Sequence, residues 1–179
     1  MTNDQAPMTT APATLDALKN SCAELATSEF RGQTRVVIAK GQLLAAMRLL
    51  KNDRGFDLLV DVTCVDYLNY RFDDERCPAS GRFGLAYLLA STETNERLTV
   101  RVFVDEPDLE VPSMVPLWGG ANWMEREVYD MFGVRFRGHP DLRRILMPDE
   151  FTSFPLRKDY PLQGRGERHN FHRIERAEA

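Results

Sequence analysis

The chain is 179 residues long, 43% apolar and 28% charged, with net charge −4 and an isoelectric point near 5.5. That is the size of one domain with its own core, or one domain and a tail, and its charge argues against a nucleic-acid binder held by a general basic field. The longest strictly apolar run, Leu85 to Ala90, is far short of a membrane span. Residues 1–13 lack the positive start and apolar stretch of an ordinary secretory signal. The expectation is therefore a soluble, cytosol-facing protein.

The Thr/Ala/Pro-rich residues 1–13 are predicted to be disordered. Thr14 can cap a helix with Asp16 in its first turn, and Leu15, Leu18, Cys22 and Leu25 follow at helical spacing, so the helix is read over about 14 to 29. The β-branched run from Thr34 to Ala39 predicts a strand, and Gly41 breaks it. Leu43, Leu44, Met47 and Leu50 form one face of a second helix.

From Phe56 the period changes to two, with Phe56, Leu58, Val60, Val62 and Cys64 expected inward. Residues 68–81 read as a polar loop. Phe83 to Ala90 is apolar on both faces and predicts a central strand. Arg97 to Val104 alternates, and the short TETNE turn between the two makes them antiparallel. This order predicts an α+β two-layer sandwich, with a largely antiparallel or mixed sheet and helices on one face.

After the loop at 105–112 a compact helix is expected. Asn122 serves as its N-cap, with Glu125 three residues on as in a capping box. Met124, Val128, Met131 and Phe132 form its apolar stripe, and Gly133 stands at the left-handed C-cap. Prolines at 140, 148, 155 and 161 forbid a long helix beyond Phe136. The chain thus divides into a tail (1–13), an α+β domain (14–136) and an extended arm (137–179).

Cys22, Cys64 and Cys77 are odd in number and lack the short spacings of a metal or cluster site. His169 and His172 offer at most half a metal site, in a segment with no ligand cluster. Residues 125–162 are charge-dense but balanced, with seven basic and seven acidic residues. Glu125 and Glu127, two apart on a helix, cannot form a paired acid/base site, whereas Arg126 and Asp130 can brace the helix at i,i+4. Glu127 and Asp130 with Arg126 are the only candidates for a stand-alone enzyme, which would require a pocket and a raised carboxylate pKa. Arg143 and Arg144 could hold a phosphate or nucleic acid, but Asp141 and Asp149 flank them, so local acids or a partner's carboxylates are favoured. His139, before Pro140, reads as a hydrogen-bonded turn residue. Leu156, Tyr160 and Leu162 need a surface to rest on, and a partner chain is the favoured one.

The run WMEREVYDMFGVRFRGHPDLRRILMPD (123–149), followed by PLRKDYPL (155–162) and preceded by VPSMVPLWGGANW (111–123), closely resembles the signature of the C-subunit family of respiratory NADH:quinone oxidoreductase, complex I. FDLLVDVTCVDY (56–67) fits more loosely. Where the family usually has histidine just before PLRKD, this chain has Phe154. The resemblance implies a small α/β domain with a long C-terminal extension, acting as a non-catalytic structural subunit. It implies no flavin, iron–sulfur cluster or quinone in this chain, these being carried by other subunits of the complex. It places the chain in the hydrophilic arm, peripheral to the cell's inner membrane on the cytoplasmic side, packed along the large D-subunit and close to the B and I subunits. The signature and interface residues implied are Glu125, Arg126, Glu127, Asp130, His139, Asp141, Arg143, Arg144, Arg157, Lys158 and Asp159. The matching subunit of a membrane-bound nickel–iron hydrogenase or a ferredoxin-driven relative is the alternative.

Overall fold

The computed structural model describes residues 10–70 and 81–166. Cys77, His169, His172 and most of the expected disordered tail lie outside them. The chain is already anchored at residue 10: Thr10 is buried and its hydroxyl donates to the Arg97 carbonyl at 2.7 Å.

Helix α1 runs Pro12–Ser21 with proline in its first turn, and its N-cap is Ala11, not Thr14. The Thr14 hydroxyl lies 3.4 Å from Glu96, which also accepts the Ala11 N–H. The helix is shorter than expected, because residues from Leu25 turn into strand β1 (Leu25–Phe30). Arg31 and Gly32, both at positive φ, close the hairpin to β2 (Gln33–Ile38). Helix α2 (Leu43–Arg54) buries Leu43, Ala46, Met47 and Leu50 and ends on Gly55 at φ +71°.

Strand β3 spans Leu58–Asp66, β4 Phe83–Ala90 and β5 Arg97–Val104. The five strands form one mixed sheet in the order β1-β2-β5-β4-β3, parallel only between β2 and β5. The inward face of β4 carries Phe83, Leu85, Tyr87 and Leu89, and that of β5 Leu98, Val100, Val102 and Val104, the latter as its alternation predicts. Strand β3 departs from it. A bulge between Leu59 and Asp61 shifts the register, so Leu59, Val62, Cys64 and Asp66 point inward while Leu58 and Val60 are exposed.

Helix α3 (Ala121–Phe132) crosses between two short parallel strands, β6 (Glu110–Pro112) and β7 (Arg135–Arg137). Its Ala121, Val128 and Phe132 join the inward strand residues and the buried faces of α1 and α2 in one core cluster. The architecture is therefore the expected two-layer α+β sandwich with helices on one face. Beyond Arg137 the described chain has turns and bends but no further helix or strand.

Candidate partner interface

Helix α3 and the segment after it form one hydrogen-bonded unit. Glu125 is not a capping residue: the N-cap is Gly120, with no side-chain hydrogen bond. Its carboxyl is fully buried, accepting from the Met114 N–H at 2.6 Å and the Ser113 hydroxyl at 2.7 Å. It thereby ties the helix to the segment after β6. Burial pushes its pKa up to about 7 against the pull of those two donors.

The expected Arg126–Asp130 brace is replaced by longer-range bonds. Arg126 donates to the carbonyls of Arg143 and Arg144, both at 3.2 Å, with its guanidinium 5.0 Å from the Trp123 ring. One Asp130 oxygen accepts three consecutive N–H groups, from Ile145, Leu146 and Met147, at 3.0, 2.7 and 2.8 Å. The other takes the Arg144 guanidinium at 2.6 Å. Burial works to raise the Asp130 pKa, but these donors outweigh it and hold the carboxyl below the usual carboxylate range. The enzyme reading of Glu127 and Asp130 fails here. Glu127 is exposed, and both oxygens of Asp130 are occupied by its own chain.

Arg143 and Arg144 part company. Arg143 reaches only the exposed Asp141, at 3.0 Å, a pair worth little. Arg144 turns inward, donating also to the Ser153 carbonyl and lying over the rings of Phe151 and Phe154. His139 Nδ1 accepts the Asp141 N–H at 3.0 Å, which leaves Nε2 to donate to the Asn122 carbonyl at 3.1 Å. It is a turn histidine, as its place before Pro140 suggests.

The PLRKDYPL segment is clasped at a second point. Arg157 donates to the Phe132 carbonyl at 2.6 Å and to Glu106 at 2.7 Å, and its guanidinium covers Phe83 and Phe154. The Lys158 N–H reaches Asp66 at 2.9 Å. Asp66 in turn holds Arg82 through two bonds, and Arg82 also meets Asp159 at 3.0 Å. Burial opposes ionisation of Asp66, but Arg82 and the Lys158 and Leu68 amides outweigh it and keep its pKa low.

Sequence reasoning does not find Asp66 and Arg82. The available signal is a carboxylate at an inward position of a strand, where the alternation through Val62 and Cys64 calls for an apolar residue. Phe154 is the packing partner of both Arg144 and Arg157.

Gly133 closes α3 at φ +80°, and a Cβ there would lie 2.6 Å from the Phe154 ring and 2.7 Å from Arg157. Gly133→Ala is expected to destabilise by about 1–2 kcal/mol from the backbone conformation alone, with displacement of Phe154 and Arg157 in addition. Urea unfolding checks this: the midpoint falls, whereas an unchanged midpoint would show that neither the backbone at 133 nor the arm resists a side chain there.

The arm from 137 to 166 is therefore clasped by its own domain, and of Leu156, Tyr160 and Leu162, the three expected to need a surface, Tyr160 finds it there. Phe151 is buried, and Tyr160 packs edge-on against it at 5.8 Å. What the arm does not bury is Leu146, Leu156 and Leu162, with Trp123 of α3 also exposed. Among the described residues no group of three or more His, Cys, Asp and Glu could hold a metal, and no helix is long and apolar enough to cross a membrane.

Residues 36–166 match the family model described as respiratory-chain NADH dehydrogenase, 30 kDa subunit. The chain is 44% identical over 142 residues to the NADH-quinone oxidoreductase C-subunit of Trichlorobacter lovleyi, covering 79% of this chain and 83% of that one. Against the same-named protein of Geobacter sulfurreducens it is 42% identical over 146 residues, covering 82% and 85%. Among solved structures it resembles a trypsin-resistant fragment (1–134) of Nqo5, with TM-score 0.62, 36% identity, and coverage of 72% and 99%. A chain of the archaeal membrane-bound sulfane sulfur reductase shares the fold at TM-score 0.65 and 21% identity, covering 91% and 93%.

Proposed function

Because this chain belongs to the family of the 30 kDa subunit of respiratory-chain NADH dehydrogenase, we propose that it serves NADH-quinone oxidoreductase as a non-catalytic structural subunit of the peripheral arm. Electron transfer from NADH to quinone is the activity of the complex. The flavin, iron–sulfur clusters and quinone are assigned to other subunits, and membrane association to the complex as a whole, on the cytoplasmic side of the inner membrane. The main neighbour assigned is the D-subunit, with the B and I subunits close by. The relatives at 42–44% identity all bear the name of the C-subunit, so the hydrogenase-type alternative is not favoured.

One observation carries the structural role. Asp130, Arg144 and Arg157 of the signature are spent inside the chain, on holding an irregular segment in place while its leucines face outward. Asp130, Arg144, Arg157 and Asp66 fix the backbone, Leu146, Leu156, Leu162 and Trp123 are left exposed, and we infer that these four serve as one apolar ridge set in place before any partner arrives. Ordering such a segment beforehand lowers the entropy cost of association, and each leucine fully buried in the interface contributes roughly 1.5–3 kcal/mol.

Leu146→Asp combined with Leu156→Asp is expected to leave the melting temperature of the isolated chain within about 2 °C of wild type, since both side chains are exposed. Recovery of the other subunits with the tagged chain should fall at least tenfold. Equal recovery would remove the ridge from the interface.

A further inference from the structure

The helices cover one face of the five-stranded sheet, and the other face is laid out in two halves. On β2 and β5 the outward positions carry Arg35, Arg97 and Arg101, with Arg31 in the hairpin turn beside them. On β4 and β3 they carry Ala86, Leu88, Leu58 and Val65, with Val60 protruding at the bulge. Leu58, Val60 and Val65 are 46%, 47% and 42% exposed, high values for three aliphatic residues of one strand.

Charge on this face runs against that of the chain. Among the strand positions only Asp61 opposes the arginines, and Glu24 stands at the rim of the hollow formed by Ala26, Val37 and Phe103. Among the described residues no ion pair joins Arg31, Arg35 or Arg97 to a carboxylate. Arg31 and Arg35 instead flank the exposed Phe30 ring, each 5.1 Å from its centre, while Arg101 donates to the Tyr67 hydroxyl. Arg82, Arg144 and Arg157, by contrast, each have a carboxylate of their own.

We propose that this sheet face is a second docking surface, and that its occupant is an amphipathic, acidic segment of another protein in the assembly. Strands β5 and β3 are separated by one strand, hence by about 10 Å, close to the width of a helix. A segment lying along the sheet would set carboxylates over Arg35 and Arg97 and apolar side chains on Leu58, Leu88 and Val65. A phosphate backbone would satisfy the arginines but leave the aliphatic half in water, and the chain's overall charge of −4 opposes it. The inference rests on membership of the complex but not on the leucine ridge, which lies on other residues.

The test uses the complete complex. Benzoylphenylalanine replaces Leu58 in one variant and Val65 in another, and photo-adducts are identified by mass spectrometry. The expected adduct is a peptide of another subunit with net negative charge. Adding Arg35→Glu and Arg97→Glu should reduce its yield at least tenfold, Arg35→Lys and Arg97→Lys by less than threefold, and co-purification through the arm should persist in both. An adduct to a neutral or basic segment, to lipid, to nucleic acid or to a second copy of this chain would overturn the proposal, as would no adduct. A complex that loses this chain altogether only when the leucine ridge is changed separates failure of the ridge from failure of the sheet face.

Discussion

Asp130→Ala is expected to lower the melting temperature by about 10 °C, the largest effect of any single change outside the apolar core. The carboxylate is fully buried and neutralises Arg144, itself nearly buried, while satisfying three successive backbone N–H groups. Removing one partner of a buried pair costs about 3–5 kcal/mol, because the other charge is left uncompensated. In a domain of this size each kcal/mol is about 2–4 °C. The loss is directional: the backbone at 145–147 is tied to α3 through this carboxylate, so the arm loosens before the sheet does. Limited trypsin digestion should therefore cut after Arg143 and Arg144 much faster in the variant, while the sheet resists. A melting point within about 2 °C of wild type would show that Arg126 and Arg157 suffice to hold the arm. Because the folded pKa is depressed, this stabilisation is present above the unfolded value near 3.9 and is lost as the pH falls through the folded one.

Glu125 is expected to impose the opposite pH dependence. Its folded pKa is raised to about 7 by burial, above the unfolded value near 4.3. The native state therefore binds the proton more tightly, and stability falls as the pH rises through the window between about 4.3 and 7. The loss by pH 8 is of order 3 kcal/mol at roughly 1.4 kcal/mol per pKa unit. Glu125→Gln keeps the shape, cannot ionise and retains an acceptor for the Met114 N–H. Its unfolding free energy should be flat across the window and exceed that of the wild type at pH 8. Chemical denaturation at pH 5, 6, 7 and 8 measures both slopes. Parallel curves for the two proteins would mean that the carboxylate is ionised in the fold throughout.

The parts of this fold legible in the sequence are those where one periodicity acts alone. Strands β4 and β5 keep the bounds read from an apolar run and from alternation, because their inward residues meet a continuous helical layer. Gly133 ends α3 as expected, since few residues tolerate that backbone conformation. Elsewhere two signals compete. Leu25 continues the helical spacing of Leu15, Leu18 and Cys22, yet it faces Ile38 across a strand pair; the half-buried LATSEF has little β character, and pairing with β2 decides the matter. The bulge at Leu59–Asp61 adds one residue that no alternation rule anticipates.

The signature is legible as a family resemblance but misleads as local chemistry. Short-range rules make Glu125 a cap and join Arg126 to Asp130. In the fold each of these three reaches a backbone segment or side chain 11 to 18 residues away. Asp66 escapes notice for a similar reason: its partners Arg82 and Lys158 are 16 and 92 residues distant. Among the described residues proline spacing correctly forbids a helix after residue 137, but absence of regular structure is not absence of support, because side-chain carboxylates can satisfy an irregular backbone as a neighbouring strand would.

The Asp66–Lys158 bond also has a consequence during synthesis. The sheet and α3 are complete in sequence by residue 137, yet the groups that seat the leucines await residues 144 to 159. A ribosome-bound chain interrupted before that point lacks the groups that seat the ridge. Recruitment of neighbours through it is thereby deferred until residues 144 to 159 have been made.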